Sequence, residues 1–481
     1  MNISRRQFFI GGAAFSSLGA FAGNRFILAA ACAGAAGAGV PLLRFGVVSD
    51  IHIRNRAKPG ETEMDGSCNE LTFIKTLRWF RDAKVDAVVV AGDMADSGTL
   101  DQLECVAAAW NSVFPGDRTP DGRKVERLFV YGNHDMGGVP YARSRFKGRS
   151  DAEIAPHTIY ESPWKAWEKT FHESFEPVWT KEVKGYRFVG AHWWSLRGCK
   201  GRDESFNDRI ADWYAAHKNE IDPSLPFFHI QHPHPKDTCY GSWAWGHDTG
   251  ATTKALSAFS NAIAFSGHSH YALTDERSVW QGAFTSVGTG SLRYVGTPGR
   301  EFKTSNQKFD SRDCRTGMLW SVYADRIVAE RREFVSGLSI GEDWMLPLPS
   351  AEPRPFAFAE RAKKFRAPQF REGAKLSVSK ENKGGDTLYV VTAPDVAPDP
   401  GGRLFRIDFT AQTNNGRKVS KNVIPDNFGH SLVHKKTGRT LVCRFTSSEI
   451  GEPDADGIAF AATPLNCFGA KGKALTVMFK S

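Results

Sequence analysis

The sequence predicts a layered α/β domain followed by a small all-β sandwich. Three observations predict it. Short apolar runs alternate with amphipathic stretches from Leu42 to about residue 270, the pattern of stacked strands and helices. Five of the six runs end in Asp, Asn or His. Beyond about residue 356 the periodicity becomes a strict alternation of apolar and polar residues, the period of strands with one buried face.

Each element follows in order. "LLRFGVVSD" (Leu42 to Asp50) is the first strand. Leu71, Ile74, Leu77 and Phe80 form one apolar stripe at helical spacing. "DAVVVAGD" and "RLFVYGNHD" are the second and third strands, ending at Asp93 and Asp135. "YRFVGAHWWS" is the fourth, and the helical "RIADWYAAHKNEI" follows it. "PFFHIQHPHP" and "NAIAFSGHSH" are the fifth and sixth. The Pro-rich "LPLPSAEPRP" (Leu346 to Pro355) reads as a linker between a domain at 42–345 and one at 356–481. In the second domain Phe405, Ile407 and Phe409 alternate with polar residues, as do Leu475, Val477 and Phe479. Asn415-Gly416 is a hairpin turn signal.

The chain has 481 residues, 41% hydrophobic and 24% charged, a globular composition. A net charge of +9 without a dense basic run argues against a nucleic-acid partner. Ser4-Arg5-Arg6-Gln7-Phe8-Phe9, then a short Gly/Ala-rich apolar stretch, resembles a bacterial twin-arginine export signal over residues 1–31. That resemblance implies recognition by the twin-arginine machinery and a periplasmic or extracellular location. It also implies no stable membrane span after processing, because the apolar stretch is short for one. Cys32, after Leu28-Ala29-Ala30-Ala31, is an alternative lipidation site. The eight cysteines include no CxxC pair, which argues against a cysteine zinc site.

The strand endings carry the chemistry. They are Asp50-Ile51-His52, Gly92-Asp93 with Asp96 beyond, Gly132-Asn133-His134-Asp135, His232, and Gly267-His268-Ser269-His270. In layered α/β folds the carboxyl ends of strands converge on one rim. Carboxylates, an amide oxygen and imidazoles gathered there form a borderline donor set suited to Fe, Mn or Zn. There are enough for two ions with one carboxylate between them, the arrangement that grips a phosphoryl oxygen.

In this order the DxH, GDxxD, GNHD, His-before-Pro and GHxH motifs resemble the calcineurin-like metallophosphoesterases, over about residues 42–340. The resemblance implies two packed mixed sheets flanked by helices, in α-β-β-α order. It implies two divalent or trivalent transition-metal ions. Asp50, His52 and His270 would hold the first, and Asn133, His232 and His268 the second, with Asp93 bridging. His134 would face the phosphate as the catalytic group, with Asp135 orienting it and Asp96 holding a ligand from behind. His229 and His234 compete with His232 for the ligand role. His192 reads as a core histidine, and the loop Gly241 to His247 as either pocket lining or ordinary packing. Asn69 and Tyr271 carry no assignment.

The implied function is hydrolysis of a phosphate monoester or diester by metal-activated hydroxide. The alternatives are a nucleotidase or nuclease of the same family, or a non-catalytic glycan- or cell-wall-binding protein on a phosphoesterase scaffold. The all-β region would be either a packed structural extension or a recognition module.

Overall fold

A computed structural model describes residues 39–61, 69–193, 206–240, 248–296, 315–349, 354–399, 402–413, 417–425, 440–451 and 457–480. The export signal, Cys32, the loop Gly241 to His247 and the Asn415-Gly416 turn lie outside them.

All six strands form, three in each of two sheets. In the first sheet Leu43–Val48, Ala87–Ala91 and Glu126–Val130 run parallel, in the register Val47↔Val89 and Val89↔Leu128. Thr316–Val322 joins antiparallel on the other side of Leu43–Val48. Arg326–Glu333, Leu338–Ser339 and Trp344–Pro347 extend that edge. In the second sheet Tyr186–Ala191, Phe227–Ile230, Ala262–Ser266 and Thr285–Gly288 are parallel. Val178–Val183 and Val279–Gln281 close its two edges antiparallel.

The continuous apolar runs are explained by burial on both faces. Ala87, Val89 and Ala91 point between the sheets, whereas Val88 and Val90 point outward against helices. The inter-sheet core is aromatic: Phe45 lies 4.8 Å from Phe228 and 5.3 Å from Phe188, ring to ring and edge-on. Helices Glu70–Asp82 and Leu100–Asn111 cover the first sheet, and Phe206–His217 and Ala251–Leu256 the second. The result is the expected α-β-β-α layering. One helical stripe differs from expectation. Phe73, Leu77 and Phe80 are fully buried, while Leu71 and Ile74 are half-buried. The contact face is rotated toward Phe73, and the Phe80 ring lies over Gly46 of the first strand, where a Cβ would collide with it.

The C-terminal region is two antiparallel sheets. One contains Ser377–Lys383, Asp386–Ala393 and Leu441–Thr446, the other Lys418–Val423, Arg406–Thr413, Ile458–Leu465 and Leu475–Phe479. Tyr389, Val391, Ile407, Phe409, Phe445 and Phe460 fill the space between them. Short helices Phe358–Lys364 and Ser447–Ile450 accompany it. The Pro-rich stretch begins inside the first sheet. Leu346 pairs with Ile327 and is buried, so Leu346 and Pro347 are strand and not linker. No helix among the described residues is long and apolar enough to cross a membrane.

Candidate metal centre

The first three parallel strands of one sheet and the parallel strands of the other end on the same rim. There the backbone turns sharply. Asp50, His52, Asp93, His268 and His270 all have positive φ, between 49° and 70°. Such conformations cost of order 1–3 kcal/mol each in non-glycine residues and concentrate at functional sites. Backbone bonds lock the turns together: Asp50 N–H donates to the Gly92 carbonyl at 3.0 Å and His52 N–H to the Asp93 carbonyl at 2.9 Å. Two of the motif glycines are steric requirements. A Cβ at Gly132 would collide with the Asp93 carboxylate, and one at Gly267 with Ser49 and Asp50.

The side chains converge as two groups sharing one carboxylate. In the first, Asp50, His52, Asp93 and His270 place one donor atom each within 4.8 Å of the others. His270 Nε2 is 3.1 Å from Asp50 Oδ1 and 3.1 Å from His52 Nε2. His52 Nε2 is 3.5 Å from Asp93 Oδ2. In the second, His232 Nε2 lies 3.2 Å from the same Asp93 Oδ2 and 3.0 Å from Asn133 Oδ1. His268 Nδ1 is 2.8 Å from that Asn133 oxygen. Asp93 Oδ1 faces away, accepting from His134 N–H at 2.8 Å.

This donor set fits cations. Two imidazole Nε2 atoms facing each other beside buried carboxylates leave room for one proton but not two, whereas a cation satisfies every lone pair. Electrostatics agree. Burial works to raise the Asp50 pKa, but His270, His232 and Ser49 outweigh it and hold the carboxyl well below its ordinary range. Burial, with the neighbouring His270, His134 and His232, pushes His52 well below the usual histidine value. Burial also works to lower His232, but the Asp93 and Asp50 carboxylates and the Ala91 carbonyl prevail, and its pKa rises to about 9. A cation on His232 Nε2 would take the place of that proton.

Supporting contacts fix the rings. His232 Nδ1 meets the Ala91 carbonyl at 2.7 Å, so Nε2 points at Asp93. His270 Nδ1 lies 3.2 Å from the Tyr294 carbonyl. His52 Nδ1 is 3.5 Å from Asp96 Oδ1. Asp96 is itself held by Arg54 at 2.9 Å and by Arg293. Asn69, unassigned from sequence, donates to the His52 carbonyl at 3.1 Å.

His134 stands beside the first group, its ring 4.4 Å from that of His52. Its Nδ1 is 2.6 Å from the Asp96 carbonyl, so Nδ1 carries a hydrogen and Nε2 is the exchangeable nitrogen. Burial lowers its pKa, although Asp93 pulls the other way. Asp135 does not orient His134. Its buried carboxylate accepts instead from Ala95 N–H at 2.7 Å, Gly132 N–H at 2.7 Å and Met94 N–H at 3.2 Å. Asp135 thus ties the second strand-end loop to the third.

Of the three candidate histidines only His232 joins this cluster. His229 is held by Tyr214 and Gln231, each at 3.0 Å, and His234 by Ser266 and Ser269 at 2.7 and 2.6 Å. His192 is a buried core residue whose Nδ1 accepts from Tyr131 N–H at 3.0 Å. Three aromatic residues of the site carry no motif. Tyr294 stacks on His270 at 4.1 Å, Trp193 on His268 at 5.8 Å, and Tyr141 meets His134 edge-on at 4.8 Å. Trp193 follows the end of the strand Tyr186–Ala191, so the strand-end rule applied to that strand would have found it.

A four-layered α/β fold with carboxylates and histidines gathered on the strand-end rim defines a metallophosphoesterase fold. Residues 43–272 match the family model of the calcineurin-like phosphoesterases, which supports that family for this chain. No curated protein matches it. Similar solved structures include a dimetal phosphatase from Danio rerio, 15% identical, with 64% of this chain and 99% of that one covered and a TM-score of 0.36. A purple acid phosphatase from yellow lupin (Lupinus luteus) seeds is 15% identical, with 63% of this chain and 53% of that one covered and a TM-score of 0.38. GAP50 of Plasmodium is 15% identical, covering 63% and 88%, with a TM-score of 0.36.

Proposed function

We propose that the protein is an exported, dinuclear-metal-dependent phosphoesterase that hydrolyses a phosphate monoester or diester in the periplasm or outside the cell. The observation that carries this reading is Asp93 Oδ2, which lies 3.5 Å from one histidine of the first group and 3.2 Å from one of the second. Asp50, His52 and His270 would hold one transition-metal ion, and Asn133, His232 and His268 the other, with Asp93 serving both. Fe, Mn and Zn all suit the donors. When bound, such ions supply Lewis acidity toward a phosphoryl oxygen and lower the pKa of a water molecule.

The chain's own residues do the rest. Asp93 balances charge between the two groups and, through Oδ1, holds the His134 backbone. Hydrogen bonding of Nδ1 to Asp96 leaves His134 Nε2 to take up and release a proton. An anionic ester beside that nitrogen favours the protonated ring, offsetting the effect of burial. His134 then donates to a phosphoryl oxygen or protonates the departing alkoxide. Tyr141 and Tyr294, 40% and 39% exposed, offer apolar surface to the ester's organic group.

The test is a turnover screen of phosphomonoesters and phosphodiesters with Mn, Fe and Zn, combined with metal analysis of the purified protein. Close to two ions per chain, with turnover abolished in Asp93→Ala, is the expected result. No bound metal and no turnover, or turnover undiminished in Asp93→Ala, refutes it. For export, changing Arg5 and Arg6 together to Lys should trap the protein in the cytoplasm; continued delivery would disprove the twin-arginine route.

A further inference from the structure

The C-terminal region meets the first domain at the segment that leaves His270. Six residues link this histidine to Arg277, and the C-terminal region touches the segment repeatedly. Ala272 packs with Phe405, Ile424 and the partly buried Cys467 in one small apolar cluster. Arg403 Nη1 donates to the Thr274 carbonyl at 3.2 Å. Arg361 bonds both the carboxylate and the carbonyl of Glu276. The Arg277 guanidinium lies 4.4 Å over the Phe405 ring, itself held by Asp275 at 2.8 Å.

The same cluster reaches the second support of that histidine. Val295, beside Ala272 in the cluster, follows Tyr294, whose carbonyl faces His270 Nδ1 at 3.2 Å and whose ring stacks on the imidazole. Gly296 N–H donates to the His270 carbonyl at 2.7 Å. Arg331, in the strand Arg326–Glu333 of the first sheet, grips the Leu273 carbonyl at 2.9 Å and Glu276 at 3.0 Å. The segment is therefore held by both the first sheet and the C-terminal region. Phe405 belongs to this junction although it begins the alternation of Ile407 and Phe409, which enter the sandwich core instead.

We infer that the C-terminal region is an outer part of the metal centre, with Phe405 and Arg403 as positioning residues that set the place of His270. In its metal-binding part this rests on the proposed function. The C-terminal region also meets the first domain at Gln281, which exchanges bonds with the Phe356 backbone at 2.9 and 3.2 Å, and at Trp344; the contacts at Ala272, Thr274, Glu276 and Val295 are the ones that reach the two segments supporting His270. Groups that orient a ligand from behind typically contribute about 10–100-fold to metal affinity. His268, two residues earlier, is anchored separately, its N–H donating to Asp50 Oδ2 at 3.1 Å.

The experiment compares full-length Phe405→Ala and the milder Arg403→Ala with Val477→Ala, which perturbs the sandwich core away from the junction. Chelator-stripped proteins are titrated with Mn(II) by calorimetry, and their histidine ring resonances are recorded before metal is added. In Phe405→Ala one of the two Mn(II) equivalents should weaken by about 10–100-fold, and the His270 resonance should move in the metal-free protein. Arg403→Ala should show a smaller change in the same direction, Phe405→Tyr should restore both, and Val477→Ala should alter neither. Unchanged Mn(II) affinities and unchanged His270 resonances in both junction variants overturn the inference, as does an equal effect in Val477→Ala. A wild-type chain that takes no Mn(II) refutes the proposed function instead, and the ring resonances still decide the positioning.

Discussion

Replacing Asp135 should damage stability before it damages chemistry. Its carboxylate is fully buried and accepts three backbone N–H bonds, two on Oδ2 from Gly132 and Met94 and one on Oδ1 from Ala95. Asp135→Ala leaves three buried donors without a partner, at about 1–3 kcal/mol each. Removing a poorly solvated carboxyl offsets part of that loss, since burial and the nearby Asp93 have already pushed its pKa up to about 7 against the pull of the three bonds. A net loss of about 3 kcal/mol follows, a large fraction of the 5–15 kcal/mol typical of a folded domain. Asp135→Asn can turn its amide oxygen toward Gly132 and Met94 and keep two of the three bonds, so it should lose only about 1 kcal/mol. Urea unfolding followed by tryptophan fluorescence measures both. A midpoint for Asp135→Ala equal to wild type, or an Asn variant as unstable as the Ala variant, would show that the three bonds do not hold the loops.

Three further outcomes are expected. Asp93→Ala should lose metal from both groups while His52→Ala loses it mainly from the first, as read by elemental analysis; full retention of both ions in Asp93→Ala would rule out the bridge. His134→Ala should keep both ions and lose roughly 10²–10⁴-fold in turnover of esters with poor leaving groups, with a smaller loss on nitrophenyl phosphate; an equal loss on both substrates would remove the proton-transfer role. Burial holds His192 at about 3 and His229 at about 4, so both stay neutral in the fold. Stability should therefore be flat in this contribution above pH ~6.5, the unfolded histidine value, and fall below it by up to about 2.7 kcal/mol per pH unit as the unfolded chain takes two protons. Stability that does not fall between pH 6 and 4.5 would refute it.

The candidate site was legible because its residues interrupt a hydrophobic pattern. Asp50, Asp93 and Asn133 stand where an apolar run should continue or turn blandly, and the shared rim of parallel strands brings them together. The choice among His229, His232 and His234 needed more than pattern. His229 lies within a strand and points at Tyr214 on the outer face, and His234 is taken by two serines. The strands beyond residue 278 were not legible. Thr285–Gly288 reads only "TSVG" and five of the eight residues of Arg326–Glu333 are charged, so neither shows as an apolar run. Asp135 misled because a carboxylate next to a catalytic histidine and a carboxylate that closes a turn look identical in sequence. Tyr294 was invisible because its role comes from stacking, which leaves no spacing signature.

The candidate ligands are divided between the sheets. Asp50, His52, Asp93 and Asn133 come from the first, and His232, His268 and His270 from the second. Neither half offers a complete set of donors, so a cation binds tightly only after the two halves have docked. An ion held there would be a non-covalent cross-link between chain segments more than 130 residues apart, since His268 and Asn133 meet at 2.8 Å. By linkage its affinity becomes resistance to unfolding, about 2.7 kcal/mol per site when free metal stands at one hundred times the dissociation constant. Metal occupancy would then report that assembly of the two halves is finished.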